Sequence, residues 1–105
     1  GLPNHFEYSI TAHDVQKGKP DPEPYLKMAE KLNFNPSECL VFEDAISGVQ
    51  SAIAAGMTCI GIGNQLTAKS LEAEGAKEVI ENFRSLTIQE KIMKTSNGFS
   101  YQLLP

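Results

Sequence analysis

The stretch Leu40-Val41-Phe42-Glu43-Asp44-Ala45-Ile46-Ser47-Gly48-Val49-Gln50-Ser51-Ala52-Ile53-Ala54-Ala55-Gly56-Met57 decides how the chain is read. Leu40, Val41 and Phe42 form a short apolar run, the pattern of a strand buried on both faces of a parallel sheet. Glu43 and Asp44 follow directly, so two negative charges stand at the strand's carboxyl end, the edge where open α/β sheets bind ligands. The same residues also have a plainer reading, in which Asp44 or Ser47 caps the next helix. In that helix Val49 and Ile53 pair at i, i+4, with Ala52 on a nearby turn and Gly56 as a natural terminator.

Upstream lies Lys17-Gly18-Lys19-Pro20-Asp21-Pro22-Glu23-Pro24. Pro20 biases Lys19 to an extended backbone, and Gly18 permits an unusual turn before it, so Lys19 reads as a cation fixed on a rigid loop. An ordinary surface lysine is the alternative. Asp21 can cap the helix that follows, with Pro22 in its first turn, and Tyr25, Met28, Ala29 and Leu32 mark an amphipathic face. Before this stretch, Gly1 to Phe6 reads as a loop and Tyr8 to Ala12 as a weak strand. His13 and Asp14 read as solvated loop residues.

Downstream, Asn33 to Glu38 is a turn, and Thr58 to Ile62 is a strand with Gly61 and Gly63 near its end. Those glycines are explained by a turn as well as by phosphate contact. Leu66 to Glu74 reads as a short helix stopped by Gly75, and Glu78 to Ile80 as an edge strand. Ser85 to Met93 reads as a last helix, on the i, i+4 spacing of Ile88 and Ile92. From Thr95 to Pro105 there is no periodicity, and a frayed tail is expected. Strands alternating with helices indicate an α/β fold with a parallel sheet. The domain reading is a core portion over 1–93 and a C-terminal tail over 94–105.

At 105 residues and 41% hydrophobic content the chain can pack a core. A net charge of −4, with no basic run, argues against a nucleic-acid partner. No apolar stretch is long enough to span a bilayer, so no membrane role is expected. Cys39 and Cys59 sit in strand-like runs and read as buried thiols of a cytoplasmic protein, with a disulfide as the alternative. No Cys/His metal spacing exists.

Gly18-Lys19-Pro20-Asp21-Pro22, followed by Val41-Phe42-Glu43-Asp44-Ala45 with Ser47, Gly48, Ala54, Ala55, Gly56 and Met57, resembles the third and fourth motifs of the haloacid dehalogenase-like superfamily. The nearest branch is that of the β-phosphoglucomutase-like proteins and the sugar and nucleotide phosphatases. The resemblance covers roughly Gly1 to Phe83. It implies a Rossmann-like parallel sheet and a Mg²⁺-dependent phosphatase of a small phosphorylated metabolite. In that chemistry Lys19 would contact the phosphoryl group and the aspartyl nucleophile. Asp44 would ligate Mg²⁺, Glu43 would bind it or orient its waters, and Ser47 and Gly48 would support the loop. A hexose-phosphate mutase and a non-catalytic binding module are the alternatives.

The family's nucleophile lies in an Asp-x-Asp motif on a first strand, and no such motif precedes Lys19. The resemblance therefore implies an incomplete core. The nucleophile strand and cap domain are missing, turnover by the chain alone is not expected, and a further chain or segment would supply the other half. The family's strand order further implies that Tyr8–Ala12 and Leu40–Phe42 are not neighbours. Exposed edges between them would leave the chain marginally stable.

Overall fold

A computed structural model describes residues 21–89 and 91–103 with their side chains and residues 5–8 as backbone. β1 is His5–Tyr8, α1 Glu23–Leu32, β2 Cys39–Glu43, α2 Ile46–Ala54, β3 Thr58–Ile62, α3 Ala68–Ala73 and β4 Glu78–Ile80. Three short strands follow: β5 Leu86–Gln89, β6 Ile92–Thr95 and β7 Ser100–Leu103. Lys19 lies outside the described residues, as do His13, Asp14 and the expected strand positions 9–12.

Among the described residues the strands form a sheet in the order β4-β3-β2-β1-β7-β6-β5. β4 to β3, β3 to β2, β2 to β1 and β1 to β7 are parallel, while β7–β6 and β6–β5 are antiparallel. The α/β reading and the parallel sheet hold. The expected separation of the first strand from the central one does not: Tyr8 pairs directly with Leu40, and Glu7 with Cys39. With no intervening strand in this chain, β1 satisfies the open edge of β2, and β7 in turn satisfies β1. This meets the demand that buried backbone groups be hydrogen-bonded.

Every residue of β2 is buried, and alternation sends its side chains to two different cores. Cys39 and Val41 face the helices, packed with Tyr25, Val49, Ala52 and Leu71. Leu40 and Phe42 face the other way, into a second core with Ile60, Ile80, Met93 and Tyr101. The C-terminal strands thus fold over the sheet face opposite the helices.

This corrects two expectations. Ser85–Met93 is not a helix, and the segment from Thr95 is not a frayed tail: β6 crosses residue 93 and β7 pairs on both sides. A spacing of four residues suits alternation as well as a helix, and here Ile88 and Ile92 lie on the two arms of a hairpin. Elsewhere the helices fall where the periodicity placed them. α1 buries Tyr25 and Ala29, although Leu32 is half exposed. α2 ends at Ala54 with Ala55 as its C-cap, followed by Gly56 with φ 83°, a left-handed terminator. Cys39 and Cys59 are both buried.

Candidate active site

Because the side chains of β2 alternate, its last residue, Glu43, continues the row of Cys39 and Val41 on the helix side. Glu43 is fully buried, as is Tyr25 of α1, and the Tyr25 hydroxyl donates to Glu43 Oε2. The carboxylate lies against Gly48 in the first turn of α2. A Cβ at that position would fall 2.6 Å from Oε2 and closer still to Oε1 and Cδ. Gly48 therefore makes the room that Glu43 occupies. Burial of a carboxylate is costly without hydrogen-bond donors, and Tyr25 is one that the fold supplies.

Asp44 is set apart from its neighbour. It stands beyond the end of β2, exposed, on the same carboxyl edge as the ends of β3 and β4. It does not cap α2: the N-cap is Ala45, with no side-chain hydrogen bond to the first turn. Ser47 is likewise inside the helix rather than at its cap. A cleft of about 430 Å³ opens beside Asp44, lined by Ile46, Ser47, Leu66, Thr67 and Ser70. Its surface mixes three hydroxyls with three apolar side chains, Ile46, Leu66 and Leu71, of which Leu66 is 89% exposed. The β3–α3 loop forming the far wall is held by Asn64, whose Oδ1 accepts from the N–H of Leu66 and of Thr67. On the other side of that loop lies a second, more polar cavity of about 270 Å³, reached by Asn64, Gln65, Glu81, Ser96 and Asn97.

Of the residues that the sequence brought forward, the structure places Glu43, Asp44, Ser47 and Gly48 at one corner. Lys19 is not among the described residues. The described chain nearest to it in sequence, Asp21, is tied to the same corner, since Ser51 Oγ of α2 donates to the Asp21 carbonyl at 2.6 Å. Asp21 Oδ1 also accepts from the Glu23 N–H at 2.8 Å, a turn closure at the entry to α1 rather than a side-chain cap of the helix. Tyr25 is the site residue that sequence reasoning missed. It registered only as one position of an apolar face, and its hydroxyl partner lies 18 residues away.

The donor set suits a hard cation in part. Mg²⁺ takes one or two carboxylates together with water and phosphate oxygens, and Asp44 offers one open carboxylate. Glu43 is buried and accepts from the Tyr25 hydroxyl. Among the described residues no group of three or more His, Cys, Asp or Glu side chains could hold a metal ion. No helix among them is long and apolar enough to cross a membrane.

Comparison with known proteins shows the family to which the chain belongs. The family model for haloacid dehalogenase-like hydrolases matches residues 1–56, which end at the close of α2. A glycerol-1-phosphate phosphohydrolase of Saccharomyces cerevisiae is 38% identical over 91 residues, covering 80% of this chain and 36% of that protein. A fructose-1-phosphate phosphatase of Escherichia coli is 39% identical over 62 residues, or 59% of this chain and 33% of the relative. Among solved structures, a family IA, variant 3 HAD hydrolase from Entamoeba histolytica aligns with a TM-score of 0.61 at 45% identity. That alignment covers 74% of this chain and 36% of the other. The chain thus spans about a third of the length of the relatives it matches.

Proposed function

The chain belongs to the haloacid dehalogenase-like hydrolases, and from that premise we propose that it forms the Asp44-bearing part of a Mg²⁺-dependent phosphatase. Its substrate would be a small phosphorylated metabolite, a sugar or nucleotide monophosphate. The observation that carries this reading is Asp44 itself, a carboxylate left exposed and uncommitted to capping at the carboxyl end of a buried parallel strand, beside an open cleft. The names of the relatives, phosphatases of glycerol 1-phosphate and fructose 1-phosphate, support the substrate class.

In this reading Asp44 holds the metal, which supplies positive charge to the phosphate oxygens. Lys19 neutralises a further phosphoryl oxygen and orients the nucleophile. Ser47 and Gly48 fix the loop between β2 and α2, and the uncapped first-turn N–H groups of α2 add favourable potential for an anion. The cleft receives the organic part of the substrate, its hydroxyls facing Ser47, Thr67 and Ser70. The aspartyl nucleophile, which would carry the phosphoryl group between substrate and water, comes from a segment or chain outside this sequence. The burial of Cys39 and Cys59 in strands fits a reducing, cytoplasmic setting.

The test is phosphate release from glycerol 1-phosphate, fructose 1-phosphate and nucleoside monophosphates by the intact enzyme, with this chain alone as control. Mg²⁺-dependent release, abolished by EDTA and absent from the chain alone, is the expected result. Interconversion of glucose 1- and 6-phosphate without net release would assign the site to a mutase instead. No turnover of any phosphate ester by the intact protein would leave a binding module.

A further inference from the structure

We infer that the cavity of about 270 Å³ on the far side of the β3–α3 loop is a binding site for a small uncharged polyol, a monosaccharide or sugar alcohol, distinct from the Asp44 cleft. Its walls come from four places in the chain: that loop, the end of β4, the turn leading into β5 and the β6–β7 turn. Hydrogen bonds fasten these walls to one another. Asn97 Nδ2 donates to Glu78 Oε1 and to the Val79 carbonyl, both at 2.9 Å. The Ser96 N–H donates to the Ser85 carbonyl and the Gly63 N–H to the Ile80 carbonyl, each at 2.9 Å. A site of fixed shape spares a ligand the cost of ordering it.

The same hydrogen bonds decide what the walls offer. Both Nδ2 hydrogens of Asn97 are spent, so its amide meets a ligand as an acceptor, through Oδ1. Asn64 is the converse: its Oδ1 accepts from the N–H groups of Leu66 and Thr67, which leaves Nδ2 as the donor it can offer. Ser85 and Ser96 add hydroxyls that act either way, and Ala68 and Val79 add an apolar wall. A ligand hydroxyl both donates and accepts, and a sugar ring carries several of them beside an apolar C–H face, so a polyol matches this mixture. A phosphate ester does not. Among the described residues that line the cavity there is no Lys, Arg or His, and the one charged side chain is the carboxylate of Glu81. The volume lies just below the range of about 300–1,000 Å³ usual for ligand pockets, which limits the occupant to about the size of one monosaccharide. Recognition here involves neither Asp44 nor a metal, so it stands whether or not the chain serves a phosphatase.

The experiment is a titration of the intact protein with glucose, sorbitol and glucose 6-phosphate, followed through backbone amide shifts in NMR. Saturable shifts at Ser85, Ser96 and Asn97 are expected from glucose or sorbitol, with dissociation constants of about 1–10 mM for a polar ligand of this size. Glucose 6-phosphate should bind about tenfold more weakly, because its charge meets Glu81, and Glu81→Lys should remove that difference. Ala68→Leu, which fills the apolar wall, should abolish the shifts. Ser96→Phe blocks the cavity from the exposed β6–β7 turn and should do the same without disturbing a buried residue. Shifts confined to Ser47 and Ser70 would place the sugar in the Asp44 cleft and overturn the assignment. Equal or tighter binding of the phosphate ester would overturn it too, as would undiminished binding in either blocked variant that folds. So would the absence of saturation by both glucose and sorbitol at about 100 mM.

Discussion

At Gly48 the absence of a single methyl group decides where a carboxylate can lie. Alanine is the better helix former by about 1 kcal/mol, so a simple propensity argument makes Gly48→Ala stabilising. The structure argues the opposite, since the new Cβ would fall inside the Glu43 carboxylate. Either α2 shifts or Glu43 is expelled from a fully buried position, and a net loss of about 1–3 kcal/mol is expected. Urea denaturation measures it, and a neutral or stabilising outcome would mean that Glu43 lies elsewhere. The paired acids themselves were legible in the sequence, because Glu-Asp after an apolar run marks a strand end. Their separation into one buried and one exposed carboxylate follows from where β2 ends: Glu43 is its last, buried residue and Asp44 lies beyond it. The partner of Glu43 was not legible, because no local spacing connects Tyr25 to a strand that begins after the next turn.

The elements that carry the site were those with a clean local pattern: α1, β2, α2, β3 and β4. The C-terminal strands were misread because their signal lies in tertiary contacts. Met93, Thr95, Tyr101 and Leu103 are buried in alternation, yet each run is only four residues long. Polar contacts add to the apolar packing that fastens these strands to the sheet. Glu78 of β4 is buried and accepts hydrogen bonds from Thr95 Oγ1 at 2.7 Å, Asn97 Nδ2 at 2.9 Å and the Tyr101 hydroxyl at 2.6 Å. Lys77 Nζ lies over the Tyr101 ring, 5.1 Å from its centre. Burial first, and then the hydrogen bond to Glu78, push the Tyr101 phenol far above its ordinary value. A group whose folded pKa is raised contributes stability below its unfolded value and loses it above. Stability should therefore fall as pH rises beyond about 10, by up to about 1.4 kcal/mol per pH unit from this residue. Tyr101→Phe should be less stable than the parent at pH 8, with the gap narrowing towards pH 12 in denaturation midpoints. A constant gap would show that Tyr101 ionises as freely in the fold as out of it.

For the whole molecule, the resemblance to a larger family implied a sheet with its middle missing. In the structure β1 lies against β2, and the last three strands close the second face. The best-protected amides in hydrogen exchange should then be those of β2, paired on both sides and buried on both faces, with the edge strands β4 and β5 exchanging sooner. Uniform fast exchange in β2 would show that this closure does not persist in solution. The proposed function rests on a smaller part of the molecule, the point where the chain leaves β2. The most direct test is Asp44→Asn in the intact enzyme, with kcat/KM for phosphate release and the melting temperature measured together. A loss of at least about 100-fold, more than an outer partner of a metal typically costs, with an unchanged melt is the expected result. Undiminished phosphate release in that variant would remove Asp44 from the active site.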